Sequence, residues 1–349
     1  MAGNHFQFNL TGSWPLVLGI DVGTHSIKYV LLRRRGNSLR VEGFGRSSIA
    51  KGESELSERI SDFIQGLFVS GSRFRKAKIV VGLQGRNAIL KTESFPQLSK
   101  KELHQTMTFS VQNELGAEAD DGFVFDYSEI GEDPDKEGNT EYLITGILGD
   151  VTADQIGPFA AEGIVPAKAV LSITALPNLL GADSETGTAI LDIGNRNSTL
   201  ILVRDGHVTF RREISVGGSD FTRAITGTIF HEGQAIQFSA EEAADFKNRY
   251  GYPLGFSDGM MYKGAPLSEV GTLMRPVVER LIGEIQRSIG FYQEKSGGEE
   301  IGTLYLIGGG AQLRHLSEVL SQKLEIPVER LDPPDQVGIS GGSDQAELF

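Results

Sequence analysis

Two short turns in this sequence place an aspartate two residues before a glycine, a pattern suited to holding a metal–phosphate group. The first is Asp21-Val22-Gly23-Thr24 and the second is Asp192-Ile193-Gly194-Asn195. A carboxylate at a strand end can face a bound metal, and a glycine lets backbone N–H groups approach phosphate oxygens closely. One such turn is a weak signal, because Asp and Gly are common in turns of every kind. The repetition makes it informative, and two unrelated hairpin turns are the alternative.

Polar side chains follow both turns and add hydroxyl, amide, imidazole and ammonium groups that a polyphosphate could use. They are Thr24, His25, Ser26 and Lys28 in the first segment, and Asn195, Asn197, Ser198 and Thr199 in the second. The metal expected with a polyphosphate is Mg²⁺, whose hard oxygen shell keeps several waters. We therefore expect Asp21 and Asp192 to hold metal-bound waters rather than to bind the ion directly.

A glycine triplet, Gly308-Gly309-Gly310, follows the apolar run TLYLI and precedes a predicted helix. Such a triplet allows a ligand to lie flat on the backbone and places a helix N-terminus beside it. A flexible strand-to-helix turn explains the triplet equally well when it is taken alone.

The composition is that of a globular chain with more than one domain. It has 349 residues, of which 39% are hydrophobic and 23% charged, and 33 basic residues face 46 acidic ones for a net charge of −13. This acidity argues against broad nucleic-acid binding, which needs a basic field. The absence of cysteine excludes disulfides and thiolate zinc sites and is compatible with a reducing cytoplasm. No apolar run reaches the length of a membrane-spanning helix.

Periodicity and turn residues predict alternating strands and helices, with one unit occurring twice: strand, Asp-x-Gly turn, strand, strand, helix. The predicted strands are 16–21, 26–33, 39–47, 78–83, 124–130, 142–148, 165–171, 189–192, 199–204, 207–214 and 303–307. The predicted helices are 54–69, 99–115, 150–163, 219–229, 240–250, 267–295 and 311–324. The expected organisation is a lead-in at 1–14, lobe I at 15–186 with an inserted subdomain at 84–175, lobe II at 187–331 with an outer subdomain at 223–297, and a polar, poorly ordered tail at 332–349.

The order of these motifs resembles the ATPase fold shared by actin, heat-shock chaperones and sugar kinases. The resemblance implies duplicated α/β lobes of ribonuclease H-like type that flank a cleft for ATP and Mg²⁺. It makes the two Asp turns the phosphate loops and places Gly309 and Gly310 under the adenosine. Gly217-Gly218 resembles the family's double-glycine turn, and Glu241–Lys247 resembles the helix that contacts the ribose and adenine. The sequence departs from the family at Ala244, where Glu is usual, although Asp245 is adjacent.

Within that superfamily the chain resembles the PilM family of type IV pilus assembly proteins, which is related to FtsA. The resemblance lies in Phe95–Ser99 followed by a helix, and then in Phe125-Asp126-Tyr127. It implies a cytoplasmic scaffold that binds the cytoplasmic N-terminal peptide of a PilN-like inner-membrane protein and reaches the membrane only through that partner. It also allows pilus motor ATPases as further partners.

Other functions on the same fold remain open: a small-molecule kinase or phosphatase, a filament-forming protein like FtsA or MreB, and a GspL-like secretion scaffold. A kinase needs a carboxylate base in its cleft, and neither Glu114 nor Asp126 can be placed near a γ-phosphate. We therefore expect at most a slow ATPase. A filament protein like MreB would not need the inserted block, and the missing membrane segment counts against the secretion scaffold.

Overall fold

The computed structural model describes residues 14–23, 25–36, 38–48, 55–70, 72–85, 88–116, 122–133, 136–180, 187–254, 259–298, 300–331 and 337–339. The chain divides into two compact units. Unit 1 takes Met1–Ala182, Asp205–Thr209 and Asp332–Phe349, and unit 2 takes Asp183–Arg204 and Phe210–Leu331. Unit 1 is therefore discontinuous in sequence, because the chain leaves it, builds unit 2 and then returns.

Unit 1 contains two sheets and the helices that pack on them; strands are numbered along the whole chain. Its strands are β1 (Leu16–Val22), β2 (Ser26–Arg35), β3 (Ser38–Ser48), β4 (Lys78–Leu83), β5 (Ile89–Pro96), β6 (Phe123–Glu132), β7 (Asn139–Leu148), β8 (Lys168–Leu171) and β18 (Val337–Ile339). Its helices are α1 (Leu56–Ser70), α2 (Ser72–Arg75), α3 (Lys100–Leu115), α4 (Gly149–Ala161) and a 3₁₀ helix at Ser172–Leu179.

The main sheet of unit 1 has the strand order β18-β3-β2-β1-β4-β8. β1, β2 and β3 form the predicted antiparallel meander, whereas β1, β4 and β8 run parallel. β1 is central because its apolar run is buried on both faces, as strands of covered sheets are. Leu18 of β1, Ile60 of α1 and Phe159 of α4 are buried in one core.

A second sheet, in the order β5-β7-β6, forms a small inserted subdomain with α3. α3 begins where the sequence predicts, because Ser99 caps it and Glu102 completes a capping box. Met107 of α3 and Ile144 of β7 are fully buried in the core between them. β5 has no counterpart among the predicted strands, since its sequence, ILKTESFP, does not alternate cleanly between polar and apolar residues.

The separate sheet of the inserted subdomain covers a narrower range than the expected 84–175. The predicted α-β-β-α-β block included the helix at 150–163 and the strand at 165–171. In the structure that helix is α4, which packs on α1 as well as on β6 and β7, and that strand is β8, which pairs with β4. Periodicity identifies such elements but does not say which sheet they join.

The elements between residues 187 and 331 form a five-stranded sheet, two short hairpins and the helices around them. The strands are β9 (Gly187–Ile193), β10 (Ser198–Arg204), β11 (His207–Ile214), β12 (Gly227–His231), β13 (Gln234–Phe238), β14 (Met261–Tyr262), β15 (Ala265–Pro266), β16 (Ile301–Ile307) and β17 (Val328–Arg330). The helices are α5 (Gly218–Ile225), α6 (Ala240–Tyr250), α7 (Leu267–Thr272), α8 (Arg275–Lys295), α9 (Leu316–Leu324) and a 3₁₀ helix at Gly309–Gln312.

The five-stranded sheet, in the order β11-β10-β9-β16-β17, repeats the pattern of the main sheet in unit 1. β10 is antiparallel to β9 and has β11 on its other side, whereas β16 and β17 run parallel to β9. The predicted hairpin at Asp205-Gly206 is present, and both residues have positive φ, at 49° and 77°, as a two-residue type I′ turn requires. The duplication predicted from the two Asp turns is therefore a duplication of sheet topology.

Two predicted helices of this region have different bounds in the structure. The helix expected at 219–229 ends at Ile225, because Gly227–His231 turns into the hairpin of β12 and β13. The helix expected at 267–295 is divided into α7 and α8. Pro276 opens α8 because proline has no N–H to donate and suits the first turn of a helix.

The strand β18 lies in the segment that composition predicts to be a poorly ordered tail. Val337–Ile339 pairs in parallel with Leu39–Val41 of β3. Its partner is distant in sequence, so local composition gives no sign of the pairing. In the described part of the chain, no helix combines the length and hydropathy needed to cross a membrane.

Candidate nucleotide-binding loops

The first Asp turn joins β1 to β2. The Gly23 N–H donates to the Ser26 carbonyl oxygen at 3.1 Å. A Cβ on residue 23 would lie 2.9 Å from that oxygen, so the turn needs glycine. Ser26 is partly exposed and His25 is exposed, whereas Thr24, predicted for the same loop, lies outside the described residues.

Asp21 is held by donors from three other elements. Its Oδ2 accepts a hydrogen bond from Lys28 Nζ of β2 at 3.1 Å. Its Oδ1 accepts from Gln84 Nε2 at 3.2 Å and from Ser172 Oγ at 3.1 Å. The side chain is still 33% exposed. Because both oxygens accept hydrogen bonds within the protein, the carboxylate has a fixed orientation that suits it to hold a metal-bound water.

Gln84 and Ser172 contact Asp21 but are not among the residues predicted from the sequence. Each directly follows a strand, Gln84 after β4 and Ser172 after β8. Both strands run parallel to β1, and the carboxyl ends of parallel strands meet at one edge of a sheet. A polar residue directly after each predicted strand is the signal that could have found them.

The second Asp turn, between β9 and β10, has the same backbone geometry. The Gly194 N–H donates to the Asn197 carbonyl oxygen at 3.0 Å, and a Cβ on residue 194 would lie 2.8 Å from that oxygen. The strand register also repeats, because Asp192 pairs with Thr199 as Asp21 pairs with Lys28. The two turns are copies that differ in the residue opposite the aspartate.

Two side chains predicted to face the nucleotide support the second turn from within unit 2. Asn197 Nδ2 donates to Glu213 Oε1 of β11 at 2.6 Å. Ser198 is fully buried, and its Oγ donates to the Val216 carbonyl oxygen at 2.6 Å. The structure does not bring Ser198 to the loop surface, because alternation along β10 turns it inward and leaves Thr199 partly exposed.

The double-glycine turn, Gly217-Gly218, packs directly on the second Asp turn. The Gly218 N–H donates to the Gly194 carbonyl oxygen, and the Ser219 N–H to that of Asn195, both at 2.8 Å. A Cβ on residue 217 would lie 2.6 Å from the Asn195 carbonyl oxygen. Two N–H groups in the first turn of α5 are thus used to hold the loop.

The glycine triplet also packs on the end of β9. Gly308 has φ 84°, and a Cβ there would overlap Asp192 Oδ1 and lie 2.7 Å from the Ile193 carbonyl oxygen. A Cβ on residue 310 would lie 2.9 Å from Ile193 Cβ, whereas one on residue 309 would meet no described residue within 4 Å. Gly308 and Gly310 are therefore required by packing, and Gly309 leaves open backbone on which a flat ligand could lie.

Lys247 of α6 reaches the double-glycine turn, where its Nζ donates to the Gly218 carbonyl oxygen at 3.1 Å. Burial lowers the pKa of the Lys247 ammonium group. A cation with its hydration partly removed interacts strongly with an added anion, because the local dielectric is low. Lys247 can therefore serve as an electrostatic contact for a nucleotide bound beside these glycines.

The residues beside Lys247 do not replace the usual glutamate of this helix. Ala244 is partly buried and has no polar group. Asp245 is engaged elsewhere, because its Oδ1 pairs with Arg249 Nε at 2.7 Å and its Oδ2 accepts from the Tyr262 hydroxyl at 3.2 Å. Neither Ala244 nor Asp245 therefore supplies an equivalent of the glutamate expected to contact the ribose.

The donor set fits Mg²⁺ that is held mainly by phosphate. Among the described residues, no group of three or more His, Asp or Glu side chains could hold a metal ion. Mg²⁺ commonly binds through one or two carboxylates together with substrate phosphates and several waters. Asp21 in unit 1 and Asp192 in unit 2, each two residues before a glycine whose Cβ would block its turn, are each a carboxylate of the kind that this role requires.

The chain is similar to known proteins over most of its length. The family model described as type IV pilus assembly protein PilM matches residues 19–349. A chain of a PilM–PilN type IV pilus biogenesis complex superposes with a TM-score of 0.73 and 20% identity, covering 93% of this chain and 90% of that one.

Two further solved structures show the breadth of the fold. The ethanolamine utilization protein EutJ from Carboxydothermus hydrogenoformans has a TM-score of 0.50 and 16% identity, with 91% of this chain and 86% of that chain covered. MreB5 of Spiroplasma citri bound to AMPPNP has a TM-score of 0.50 and 13% identity, with 92% of both chains covered. These likenesses confirm the predicted actin-like α/β fold. Because the family match runs over nearly the whole chain, the chain belongs to the PilM family of type IV pilus assembly proteins.

Proposed function

We propose that this chain is an ATP-binding scaffold of type IV pilus assembly. The turns that begin at Asp21 and Asp192 bind the triphosphate and the waters of its Mg²⁺, and Gly309 and Gly310 support the adenosine. Lys247 adds a positive charge. The observation that carries this proposal is the duplicated turn, with the same N–H to carbonyl bond and the same register of the aspartate in both units. The AMPPNP bound to MreB5, which has the same fold, supports it.

The proposed partner is the cytoplasmic N-terminal peptide of a PilN-like inner-membrane protein, through which the scaffold reaches the membrane. The similarity to a chain of a PilM–PilN complex supports this choice. The inserted subdomain exposes two large apolar side chains, Phe109 of α3 at 65% and Val124 of β6 at 53%. Exposed apolar side chains of this kind are what a bound peptide can cover. Pilus motor ATPases are proposed as further partners.

The nucleotide part of the proposal is tested by calorimetry with Mg-ATP. Asp21→Ala and Asp192→Ala should each weaken binding by about tenfold or more, roughly 1.4 kcal/mol, because each removes a ligand for metal-bound water. Both variants should stay folded, but the thermal unfolding midpoint of Asp21→Ala should fall, because it removes the acceptor of three hydrogen bonds. Asp154→Ala, which removes an exposed carboxylate of α4, is the control. Wild-type affinity in both loop variants would show that the site is wrongly assigned.

The partner is tested with a labelled synthetic peptide that carries the cytoplasmic N-terminus of the PilN-like protein. We expect the full chain to bind it in solution and Phe109→Ala to weaken binding. Val165→Ala removes another exposed apolar side chain, outside the inserted subdomain, and should bind like wild type. Equal losses in both variants, or no binding by wild type, would contradict the proposed partner.

A further inference from the structure

Gln155 of α4 is a polar side chain deep inside unit 1, outside the loops described above. It is 3% exposed, and a buried amide is costly unless its polar atoms are satisfied. Its Oε1 accepts from the Gln84 N–H at 3.0 Å, and its Nε2 donates to the Gln84 carbonyl oxygen at 2.7 Å. Its Nε2 also donates to the Val151 carbonyl oxygen at 3.2 Å. One side chain therefore holds both backbone polar groups of Gln84, as a neighbouring strand would.

Gln84 is itself a contact of the first Asp turn. While its backbone is held by Gln155, its Nε2 donates to Asp21 Oδ1 at 3.2 Å. The next residue, Gly85, is closely packed, because a Cβ there would lie 3.2 Å from Ile147 Cδ1 and 3.4 Å from Val151 Cγ1. The segment thus has little freedom to move away from Asp21 unless β7 and α4 move as well.

The contact between Gln155 and Gln84 also links two segments that are far apart in the sequence. Gln84 and Gly85 follow β4, where the chain leaves the main sheet for the inserted subdomain. α4 directly follows β7, where the chain returns. Gln155 therefore joins the outgoing and returning segments and also fixes the residue that reaches Asp21.

We propose that Gln155 is a positioning residue for the nucleotide site: by holding the Gln84 backbone, it directs the Gln84 amide onto the Asp21 carboxylate. Mg-ATP affinity then depends on how α4 sits at the base of the inserted subdomain. This inference rests on the proposed nucleotide-binding function and adds to it two residues, Gln84 and Gln155, that the motifs do not include.

A double-mutant cycle measured by Mg-ATP calorimetry tests the inference. Gln155→Met has a similar volume and removes the bonds to Gln84, whereas Gln84→Ala removes only the amide that reaches Asp21. Each should weaken Mg-ATP binding roughly fivefold, the effect of about one hydrogen bond. Because both act on the same contact, the double variant should bind about as well as Gln84→Ala alone.

Controls separate positioning from general stability. Gln65→Met removes a bond from Gln65 Nε2 to Glu162 Oε1, which lies just beyond α4, without touching Gln84, so its Mg-ATP affinity should be that of wild type. If Gln155→Met does not fold, Gln155→Asn replaces it in the cycle. Asparagine keeps the amide but is one methylene shorter, so its bonds to the Gln84 backbone are weakened, and a smaller loss with the same non-additivity is expected.

The outcomes distinguish this inference from the proposed function. Binding by wild type, with multiplicative losses in the double variant, would mean that Gln155 acts through general stability and would overturn the inference alone. An unchanged Mg-ATP affinity of Gln155→Met would also overturn the inference and leave the proposed function standing. No Mg-ATP binding by wild type would overturn the proposed function and, with it, this inference.

Discussion

The two Asp turns have nearly the same backbone but are held in place by different means. In unit 1, polar side chains hold the turn, because Lys28, Gln84 and Ser172 all donate hydrogen bonds to the Asp21 carboxylate. In unit 2, Asn197 and Ser198 also donate hydrogen bonds from their side chains. There, however, the backbone of the double-glycine turn donates to the loop carbonyls, and the glycine triplet packs against the end of β9. A duplicated turn can thus keep its geometry while close backbone packing is added to the polar side chains that stabilise it.

The lysines near the two turns also differ in where they come from and in how exposed they are. Lys28 of unit 1 lies on the strand beside Asp21, and its side chain is 53% exposed. The corresponding residue in unit 2 is Thr199, and a lysine comes instead from a helix, as the largely buried Lys247. Substitutions of equivalent residues in the two units should therefore have different effects.

The largest expected effect is on the backbone packing of unit 2. Gly308→Ala places a Cβ against Asp192 and Ile193 and puts a non-glycine residue at φ 84°. A backbone with φ 84° and ψ 172° is adopted almost only by glycine and costs another residue about 1–3 kcal/mol. Overpacking costs about 1–3 kcal/mol, so we expect the free energy of unfolding to fall by about 3 kcal/mol in urea denaturation. The new Cβ of Gly309→Ala would have no neighbour within 4 Å in the described part of the chain, so this variant is the matched control. Similar losses in both variants would refute the packing account.

A smaller effect, of opposite sign, is expected at Lys247. Since burial lowers its pKa in the folded state, the unfolded chain holds this proton more tightly than the folded one. The stability of the wild type should therefore rise with pH as it passes from the lowered pKa to the ordinary value of 10.5. Lys247→Met should be more stable than wild type by about 1 kcal/mol at neutral pH, should lose this advantage as pH rises through that window, and should bind Mg-ATP more weakly.

Denaturation of Lys247→Met between pH 7 and 10 measures this difference, with Lys28→Met as the comparison. Lys28 forms an exposed ion pair, so its removal should change the free energy of unfolding by less than about 1 kcal/mol. A Lys247→Met variant less stable than wild type at every pH would show that the bond to Gly218 outweighs the cost of burying the charge.

The smallest effect should appear in the side-chain network of unit 1. Gly82→Ala places a Cβ 2.5 Å from Ser172 Oγ, and the hydroxyl can rotate away at the cost of its bond to Asp21. We expect a loss of about 1 kcal/mol in the free energy of unfolding. In a Ser172→Ala background the same change should cost almost nothing. A full cost in that background would mean that the backbone, rather than the hydroxyl, resists the new methyl group.

Local signals were sufficient to predict the strands and turns that form the two loops. The apolar runs before Asp21 and Asp192, the capping box of Ser99 and the hairpin at Asp205-Gly206 each involve residues close in sequence. Because these features depend on interactions between neighbouring residues, the sequence alone is enough to predict them. The duplicated topology followed, because the same local order occurs twice.

Long-range contacts were the part that the sequence did not reveal. The pairing of β8 with β4 and the role of Gln84 depend on partners far along the chain. The burial of Ser198, next to a partly exposed Thr199, required the face of β10 to be known. Such contacts follow from the packing of sheets and helices, which periodicity does not determine.

The strand β18 makes the order of synthesis relevant to this protein. It pairs with β3, so one edge of the first sheet stays uncovered until the whole of unit 2 has left the ribosome. An uncovered edge offers unpaired N–H and C=O groups to other chains. Newly made protein should therefore be most vulnerable to aggregation late in translation, when unit 2 can already fold and unit 1 still lacks its last strand.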